Sequence, residues 1–167
     1  MCLPQDPSPP IAPTEINTSR GELLNIEAGR IDLSNEEYID FFDQVTFRYG
    51  NRSVSAERAT FDRATQRAEV QGTVTYQDPN VIVYGEDAEV DAQTELISFT
   101  GGGFDLPQRP ARGSADLIRI RSNNTISLEG VSFTTCTIER PSWELLAREL
   151  EIDIGKGFGT ARGVKLN

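Results

Sequence analysis

The chain has 167 residues, enough for one domain with a buried core, and a formal net charge of −10 from 26 acidic and 16 basic residues. This charge repels nucleic-acid phosphates and anionic membrane surfaces, so neither is an expected partner. The chain contains no histidine, which excludes Ser-His-Asp and Cys-His catalysis and any histidine-ligated metal.

Residues 1–20 are predicted to form a proline-rich tail, and residues 21–167 a single β domain. Prolines occupy positions 4, 7, 9, 10 and 13, a density that sustains neither a helix nor a central strand. The first residues lack the basic and apolar regions of a signal peptide, and no run approaches the ~18 apolar residues of a membrane-spanning helix. We therefore expect a mature chain with an added Met1.

The β domain is predicted from alternation of apolar and polar residues, seen in residues 24–28, 41–47 and 68–76. A period of two is typical of strands with one buried side. Short polar segments, at residues 62–65, 78–80, 91–94 and 122–124, are predicted to close hairpins. Residues 143–150 have helix-forming composition but run into an alternating segment, so most of this stretch is predicted to be strand.

An internal repeat organises these strands. Asp43, Gly72, Gly102 and Gly130 follow one another at nearly equal intervals along the chain, and Gly163 comes after a slightly longer one. A period of ~30 residues indicates stacked supersecondary units, and glycine inside a strand indicates a bulge or bend. The pattern favours an all-β fold, an open-edged β-jelly roll or β-taco of antiparallel strands, with a parallel β-helix as the competing prediction.

A set of apolar residues is predicted to line the inside of the rolled sheet. They either fill an ordinary core or line a groove for an aliphatic ligand between splayed sheets, and the residues alone do not separate the two. The set is Phe41, Val45, Phe47, Phe61, Val74, Tyr76, Val83, Phe99, Phe104, Leu106, Ile118, Leu128 and Phe133.

Catalytic candidates are limited to carboxylates. Glu36 with Glu37, Glu86 with Asp87, and Asp62 are the acids considered, since paired carboxylates hydrolyse glycosides. Each lies in or beside a polar turn, where acids are usually solvated. The glycines at 101–103 are followed by no Lys-Ser/Thr and so do not match a phosphate-binding loop. We expect a protein that is not an enzyme and that needs no metal and no cofactor.

The C-terminal third carries a resemblance to a known family. The segments are residues 113–117 (Gly-Ser-Ala-Asp-Leu), 130–136 (Gly-Val-Ser-Phe-Thr-Thr-Cys), 141–145 (Pro-Ser-Trp-Glu-Leu) and 161–166 (Ala-Arg-Gly-Val-Lys-Leu). Together they resemble the periplasmic N-terminal domain of the LptD family, which assembles lipopolysaccharide at the outer membrane. The repeat of strands also resembles the OstA-like module of the bridge proteins LptA and LptC.

The resemblance implies that the apolar set lines a groove for the acyl chains of lipopolysaccharide, which the domain accepts from the periplasmic bridge for insertion into the outer leaflet. The implied location is the periplasmic side of the outer membrane of a Gram-negative bacterium. An acidic exterior keeps phosphorylated headgroups from adhering, which is a hypothesis. Nothing in the chain binds nucleotide, so net movement is expected to be driven from elsewhere.

Partners are also implied by the resemblance. In the family, cysteines matching Cys2 and Cys136 form disulfides with cysteines of the membrane barrel, which is expected beyond Asn167 together with LptE. An LptA-like bridge protein is expected to add a strand to the N-terminal edge, from Leu23 to Leu33.

Two other classes of function stay open at the sequence level. One is a structural or adhesive β-solenoid with a filled core. The other is a carbohydrate-active enzyme of jelly-roll or β-helix type that uses the carboxylates named above.

Overall fold

A computed structural model describes residues 14–17, 23–108, 111–135 and 143–167. These residues form strands and turns, and no helix occurs among them. The strands are β1 (Thr14–Asn17), β2 (Leu23–Glu27), β3 (Arg30–Leu33), β4 (Tyr38–Tyr49), β5 (Arg52–Asp62), β6 (Arg67–Gln77), β7 (Ile82–Asp91), β8 (Leu96–Leu106), β9 (Ala111–Ile120), β10 (Thr125–Thr134), β11 (Leu145–Asp153), β12 (Phe158–Arg162) and β13 (Lys165–Leu166).

The strands form one sheet in which neighbours in the chain are neighbours in space. The order is β1-β2-β4-β5-β6-β7-β8-β9-β10-β11-β12, while β3 pairs with β4 and β13 pairs with β11. Every pair that the structure describes is antiparallel. The all-β antiparallel prediction is confirmed, and the competing parallel β-helix is wrong.

The even-numbered long strands each contain a left-handed bend near their middle. Asp43, Gly72, Gly101 and Gly130 have φ of 62°, 77°, 73° and 62° and are equally spaced along the chain. The predicted repeat is confirmed with one correction: its third member is Gly101 rather than Gly102. Gly102 lies one position further, opposite Ala115 in β9.

The bends fold each long strand over itself. Phe41 and Phe47 lie on opposite sides of the bend in β4, yet their ring centroids are 5.8 Å apart. In an unbent strand, residues with this separation lie ~20 Å apart at ~3.3 Å per residue. Layer 1 comprises residues 38–42, 58–62, 67–71, 87–91, 96–100, 116–120, 125–129 and 149–153, and layer 2 comprises residues 45–49, 52–56, 74–77, 82–85, 102–106, 111–115, 131–134 and 145–147.

The core lies between the two layers. Alternate residues of each half-strand point inward, as the predicted alternation of β6 illustrates: Ala68, Val70, Val74 and Tyr76 are all buried. Both layers contribute fully enclosed side chains, among them Phe99 from layer 1 and Val83 and Phe104 from layer 2. The strand predicted for residues 143–150 is present as part of β11.

The hairpin turns at the outer end of layer 1 are fixed by aspartate side chains. Oδ1 of Asp62 accepts hydrogen bonds from the backbone N–H groups of Ala64 and Thr65, at 2.9 and 3.2 Å. Asp91 accepts the equivalent pair in the next turn. These local bonds satisfy backbone donors that a turn leaves unpaired, which is why aspartate initiates turns. The four turns predicted from the sequence are all present.

The predicted N-terminal boundary needs a correction. β1 lies within the segment predicted as tail and pairs with β2, so the sheet begins at Thr14. The physical reason is that β1 follows the last of the clustered prolines and therefore has backbone N–H groups to donate. The earlier part of the predicted tail lies outside the described residues.

Gly113 should tolerate substitution poorly, because backbone and a core side chain lie close to its Cα. A Cβ added there would lie 2.1 Å from the carbonyl oxygen of Ser132 and 2.6 Å from the Phe104 ring. Gly113→Ala is expected to lower the free energy of unfolding by about 1–3 kcal/mol, because backbone and a core aromatic must move. Gly155→Ala, with its nearest contact at 3.5 Å, should change it by less than about 0.5 kcal/mol. Urea unfolding measures both; equal effects would contradict the close packing at Gly113.

The turn aspartates should make the fold sensitive to acid. The hydrogen bond from the backbone N–H of Thr65 lowers the pKa of Asp62 below its ordinary value. Stabilisation from such a group is present above its unfolded-state pKa and is lost as pH falls through its folded-state pKa. Asp62→Asn keeps the turn acceptor without the charge, so thermal unfolding between pH 2 and pH 6 should show a shallower loss of stability. An unchanged slope in Asp62→Asn would contradict this role of the Asp62 carboxylate.

Candidate functional site

Most of the predicted groove-lining residues lie in the closed core. Phe41, Val45, Val74, Tyr76, Val83, Phe99, Phe104, Ile118 and Leu128 are at most 2% exposed. The remaining predicted residues, Phe47, Phe61, Leu106 and Phe133, are half-buried and pack against that core. The structure therefore places the whole set on the inner faces of the two layers, while it gives only some of them access to open space.

The region where the sequence motif lies is closed by aromatic rings. The rings of Phe104 and Phe133 stack across Gly113 with their centroids 6.5 Å apart, and the centroids of Phe133 and Trp143 are 6.2 Å apart. The hydroxyl of Thr134 donates to the carbonyl oxygen of Trp143 at 2.9 Å, which fixes the start of β11 against the end of β10. Aromatic clusters of this kind add stability beyond the area they bury. This part of the roll is a packed core.

An opening remains between the layers near the N-terminal end of the sheet. It has a volume of about 400 Å³, within the ~300–1,000 Å³ typical of ligand pockets. Layer 2 contributes residues from β4, β5 and β6, and layer 1 contributes the ends of β7 and β8, the turn between them and Gln66 of the β5–β6 turn. The lining residues are Phe47, Tyr49, Arg52, Ser53, Val54, Gln66, Tyr76, Val90, Asp91, Ala92, Gln93, Glu95 and Ile97.

Phe47 and Tyr76 are the predicted groove residues that line this opening. The lining also includes Tyr49, Val54, Val90 and Ile97, which were not among the predicted groove residues. Val90 and Ile97 continue the alternation of their strands and could have been found by extending it from Ala88 and Phe99. Tyr49, the last residue of β4, likewise continues the alternation of Val45 and Phe47 and could have been found in the same way.

The inner wall of the opening is held by a buried polar pair. The Tyr76 hydroxyl donates to Oδ2 of Asp78 at 2.8 Å. Oδ1 of Asp78 accepts from the backbone N–H groups of Asn80 and Val81 at 2.7 and 2.9 Å, so both carboxylate oxygens are occupied. Burial, reinforced by Asp78, raises the pKa of Tyr76 well above its ordinary value. The phenol is therefore a neutral donor that anchors an otherwise apolar ring.

Three charged groups lie at the mouth of the opening: Arg52, Asp91 and Glu95. Asp91 forms an ion pair with Arg67, in which Oδ2 and Nε are 3.3 Å apart. The pKa of Asp91 lies below its ordinary value, chiefly because the carboxylate accepts a hydrogen bond from the backbone N–H of Thr94. Arg52 extends from layer 2 to the β9–β10 turn of layer 1. Its Nη2 donates to the carbonyl oxygen of Ser122 at 2.9 Å and to Oδ1 of Asn124 at 3.3 Å. The guanidinium thus connects the two layers at a point away from the bends.

The candidate catalytic acids are not arranged around the opening. Glu36, Glu37, Glu86 and Asp87 are exposed. Asp62 has a lowered pKa and serves as a turn acceptor, the opposite of the raised pKa that a general acid needs. Within the described ranges, no group of three or more Asp, Glu, Cys or His side chains could hold a metal ion, and no helix is long and apolar enough to cross a membrane.

The expected docking edge, Leu23 to Leu33, divides into two parts. β2 lies inside the sheet, between β1 and β4, so its backbone groups are already paired and this part of the prediction is wrong. β3 pairs with β4 on one side, and β1 is the terminal strand of the described sheet. β2 is not an edge strand because β1, which lies in the segment predicted as tail, pairs with its outer side. Cys2 and Cys136 lie outside the described residues.

A single antiparallel sheet, folded along aligned bends and with an opening between its layers on the side away from the bends, defines the class as an OstA-like β-jelly roll. The comparison with solved structures agrees. The chain matches LptH of Pseudomonas aeruginosa, described as the LptA homologous periplasmic component of the conserved lipopolysaccharide transport device, with a TM-score of 0.55. The match covers 70% of this chain and 93% of that chain at 12% identity, so it shows the shared fold.

Sequence relatives are more specific. The chain is 33% identical over 155 residues to the LPS-assembly protein LptD of Saccharophagus degradans and 30% identical over 139 residues to that of Nitrosomonas eutropha. These alignments cover 93% and 83% of this chain but 18% and 19% of the relatives. No family model matches the chain. The chain therefore belongs to the LptD family, as the resemblance implied, and it spans a small part of its relatives' length.

The hydrogen bond at the inner wall can be tested by removing one hydroxyl. Tyr76→Phe should lower the free energy of unfolding by about 1–3 kcal/mol, since Asp78 loses a partner in a buried setting. Tyr84→Phe is the matched control, because Tyr84 is 45% exposed on the outer face, and it should change stability by less than about 0.5 kcal/mol. Chemical denaturation measures the free energy of unfolding of both variants. An unchanged free energy in Tyr76→Phe would contradict the anchoring role.

Proposed function

We propose that the chain is a periplasmic jelly-roll domain that takes part in lipopolysaccharide transport and holds acyl chains between its layers. The observation that carries the proposal is the apolar opening between the layers, in a fold shared with a periplasmic transport component and a sequence related to LptD proteins. Acyl-chain binding needs apolar surface and no catalytic group, and each buried methylene contributes ~0.8 kcal/mol. The domain accordingly acts as a carrier and not as an enzyme.

The opening is the proposed entry point for the chains. Phe47, Val90 and Ile97 line it from both layers, so a chain inserted there would contact each layer at once. Beyond it lie predicted groove residues that are now buried, such as Val74 and Phe99. For these to contact lipid, the layers must separate along the side opposite the bends. The proposal therefore includes a movement of the layers about the bends.

A filled-core scaffold remains the second candidate function. The observation that favours it is the complete enclosure of Phe99, Phe104 and Ile118, together with the aromatic contacts at Phe133 and Trp143. A scaffold would use the same sheet for mechanical connection and would not admit lipid past the opening. The two candidates differ in whether residues deep in the roll ever contact a ligand.

The proposed partners follow the LptD resemblance. An LptA-like bridge protein would add its terminal strand beside β1 or β3, whose outer backbone groups the described sheet leaves unpaired. Ile31 and Leu33 on β3 are 40% and 74% exposed, which gives such a strand apolar side chains to cover. In the longer relatives' context we propose an outer-membrane barrel with LptE as the recipient, Cys2 and Cys136 as disulfide partners of that barrel, and a periplasmic location.

Photo-crosslinking tests the function directly. A benzophenone side chain placed at Phe47, Val90 or Ile97 should crosslink to lipopolysaccharide, whereas one at Thr75 or Glu69, outside the closed core, should not. Crosslinking at Phe99 or Phe104 would show that the layers part and would exclude the filled-core scaffold. Equal labelling at inner and outer positions would contradict the groove.

A plug at the mouth offers a second test with a matched control. Ala92 is an exposed turn residue in the lining, so Ala92→Trp should place an indole in the opening and reduce lipid crosslinking at Phe47 about tenfold or more. Ala64→Trp makes the same change in the neighbouring β5–β6 turn. Ala64 itself does not line the opening, so this variant should leave crosslinking unchanged. Both variants should unfold at nearly the parent temperature; unchanged crosslinking in Ala92→Trp would place the lipid elsewhere.

A further inference from the structure

Arg52 occupies an unusual position in the roll. Its side chain is half-buried in the wall of the apolar opening, beside Phe47 and Val54. It donates to two neutral acceptors on layer 1, the carbonyl oxygen of Ser122 and the side-chain oxygen of Asn124. These bonds satisfy donor groups but do not neutralise the positive charge. A guanidinium that is not paired with a carboxylate or a phosphate binds either group strongly.

The other cation near the mouth is already engaged. Arg67 forms ion pairs with Asp91 at 3.3 Å and with Glu89 at 3.6 Å. Among the described residues, Arg52 is thus the one cationic side chain in the lining of the opening, which also contains the carboxylates of Asp91 and Glu95, in a chain whose net charge is −10. An anion approaching the acidic surface is repelled in general but finds one attractive group where apolar surface is also available. That combination fits an amphiphile with a negatively charged head and aliphatic tails.

We propose that Arg52 binds a phosphate of the anionic lipid whose chains enter the opening. The inference rests on the proposed function and adds to it the residue that recognises the headgroup. The guanidinium forms two parallel hydrogen bonds to phosphate oxygens and gives up its neutral acceptors on the β9–β10 turn. Because those acceptors connect the layers, phosphate binding also releases one constraint on their separation.

The test compares lipids that differ in phosphate alone. The full chain carries a photo-crosslinker at Phe47 and is mixed with micellar lipid A, either phosphorylated or enzymatically dephosphorylated. The parent should label with phosphorylated lipid about tenfold more efficiently, because a charge-assisted pair favours that lipid. Arg52→Gln should abolish the preference, so that phosphorylated and dephosphorylated lipid label the variant equally. Arg52→Lys should keep part of the preference, since it retains the charge without the fork geometry.

Two control variants separate headgroup recognition from loss of structure. Arg48→Gln removes another arginine of the β4–β5 hairpin. Arg48 is paired with Glu27 at 2.7 Å and does not line the opening, so the phosphate preference should persist in this variant. Asn124→Gly removes one acceptor of Arg52 but keeps its charge, and glycine suits the φ of 61° at that position. The preference should persist in this variant as well; its loss would mean that the layer contact, and not the charge, controls labelling.

The outcomes distinguish this inference from the proposed function. If the parent labels with neither lipid, the acyl-chain function itself fails. If it labels both equally, or if Arg52→Gln keeps the preference, the function stands and the assignment of Arg52 is overturned. Inorganic phosphate at millimolar concentration should compete weakly; full competition by phosphate alone would indicate a simple anion site instead of a lipid headgroup site.

Discussion

The fold depends on a fixed distance between two left-handed backbone positions. Gln66, Glu95, Asn124 and Gly157 have positive φ in the turns of layer 1, and in each case a glycine with positive φ follows six residues later, at Gly72, Gly101, Gly130 and Gly163. The distance is kept even in the last unit, although the interval from Gly130 to Gly163 is longer than the intervals between the earlier bends. The additional residues therefore lie outside the half-strand between turn and bend. Aligned bends let the whole sheet fold along one line.

This distance matters because strand side chains alternate. A half-strand longer by one residue would turn every following side chain to the other face of its layer. The strands use the bend itself to adjust that phase. In β6 two successive left-handed residues, Gly72 and Thr73, keep Val70 and Val74 on one inner face. In β10 the single left-handed Gly130 shifts the phase, so that Leu128 and Val131 are both inward.

The sequence predicted what local patterns encode and missed what depends on distant segments. Alternation identified the strands, turn aspartates identified the hairpins, and Gly72 and Gly130 marked bends. The third bend was misplaced by one residue because Gly101, Gly102 and Gly103 are identical side by side. The location of the opening could not be predicted, since Phe47 and Ile97 line it from two layers whose offset no local pattern specifies. The internal position of β2 in the sheet was not predicted for the same reason, because it depends on β1 pairing with the outer side of β2.

The lining of the opening includes a turn position at which the repeat changes from a long side chain to a short one. The turn position three residues before the left-handed residue is Arg63 in one unit and Arg121 in another, but it is Ala92 in the unit that lines the opening. Arg63 and Arg121 use their length to donate hydrogen bonds to the carbonyl oxygen of Glu36 and the hydroxyl of Ser127, whereas the methyl group of Ala92 leaves the mouth of the opening uncovered. A scaffold gains stability by covering apolar surface, at ~25 cal/mol per Å², so a short residue beside Phe47, Val90 and Ile97 leaves available stabilisation unused. That choice is what a chain needs if this surface is to be covered by a ligand.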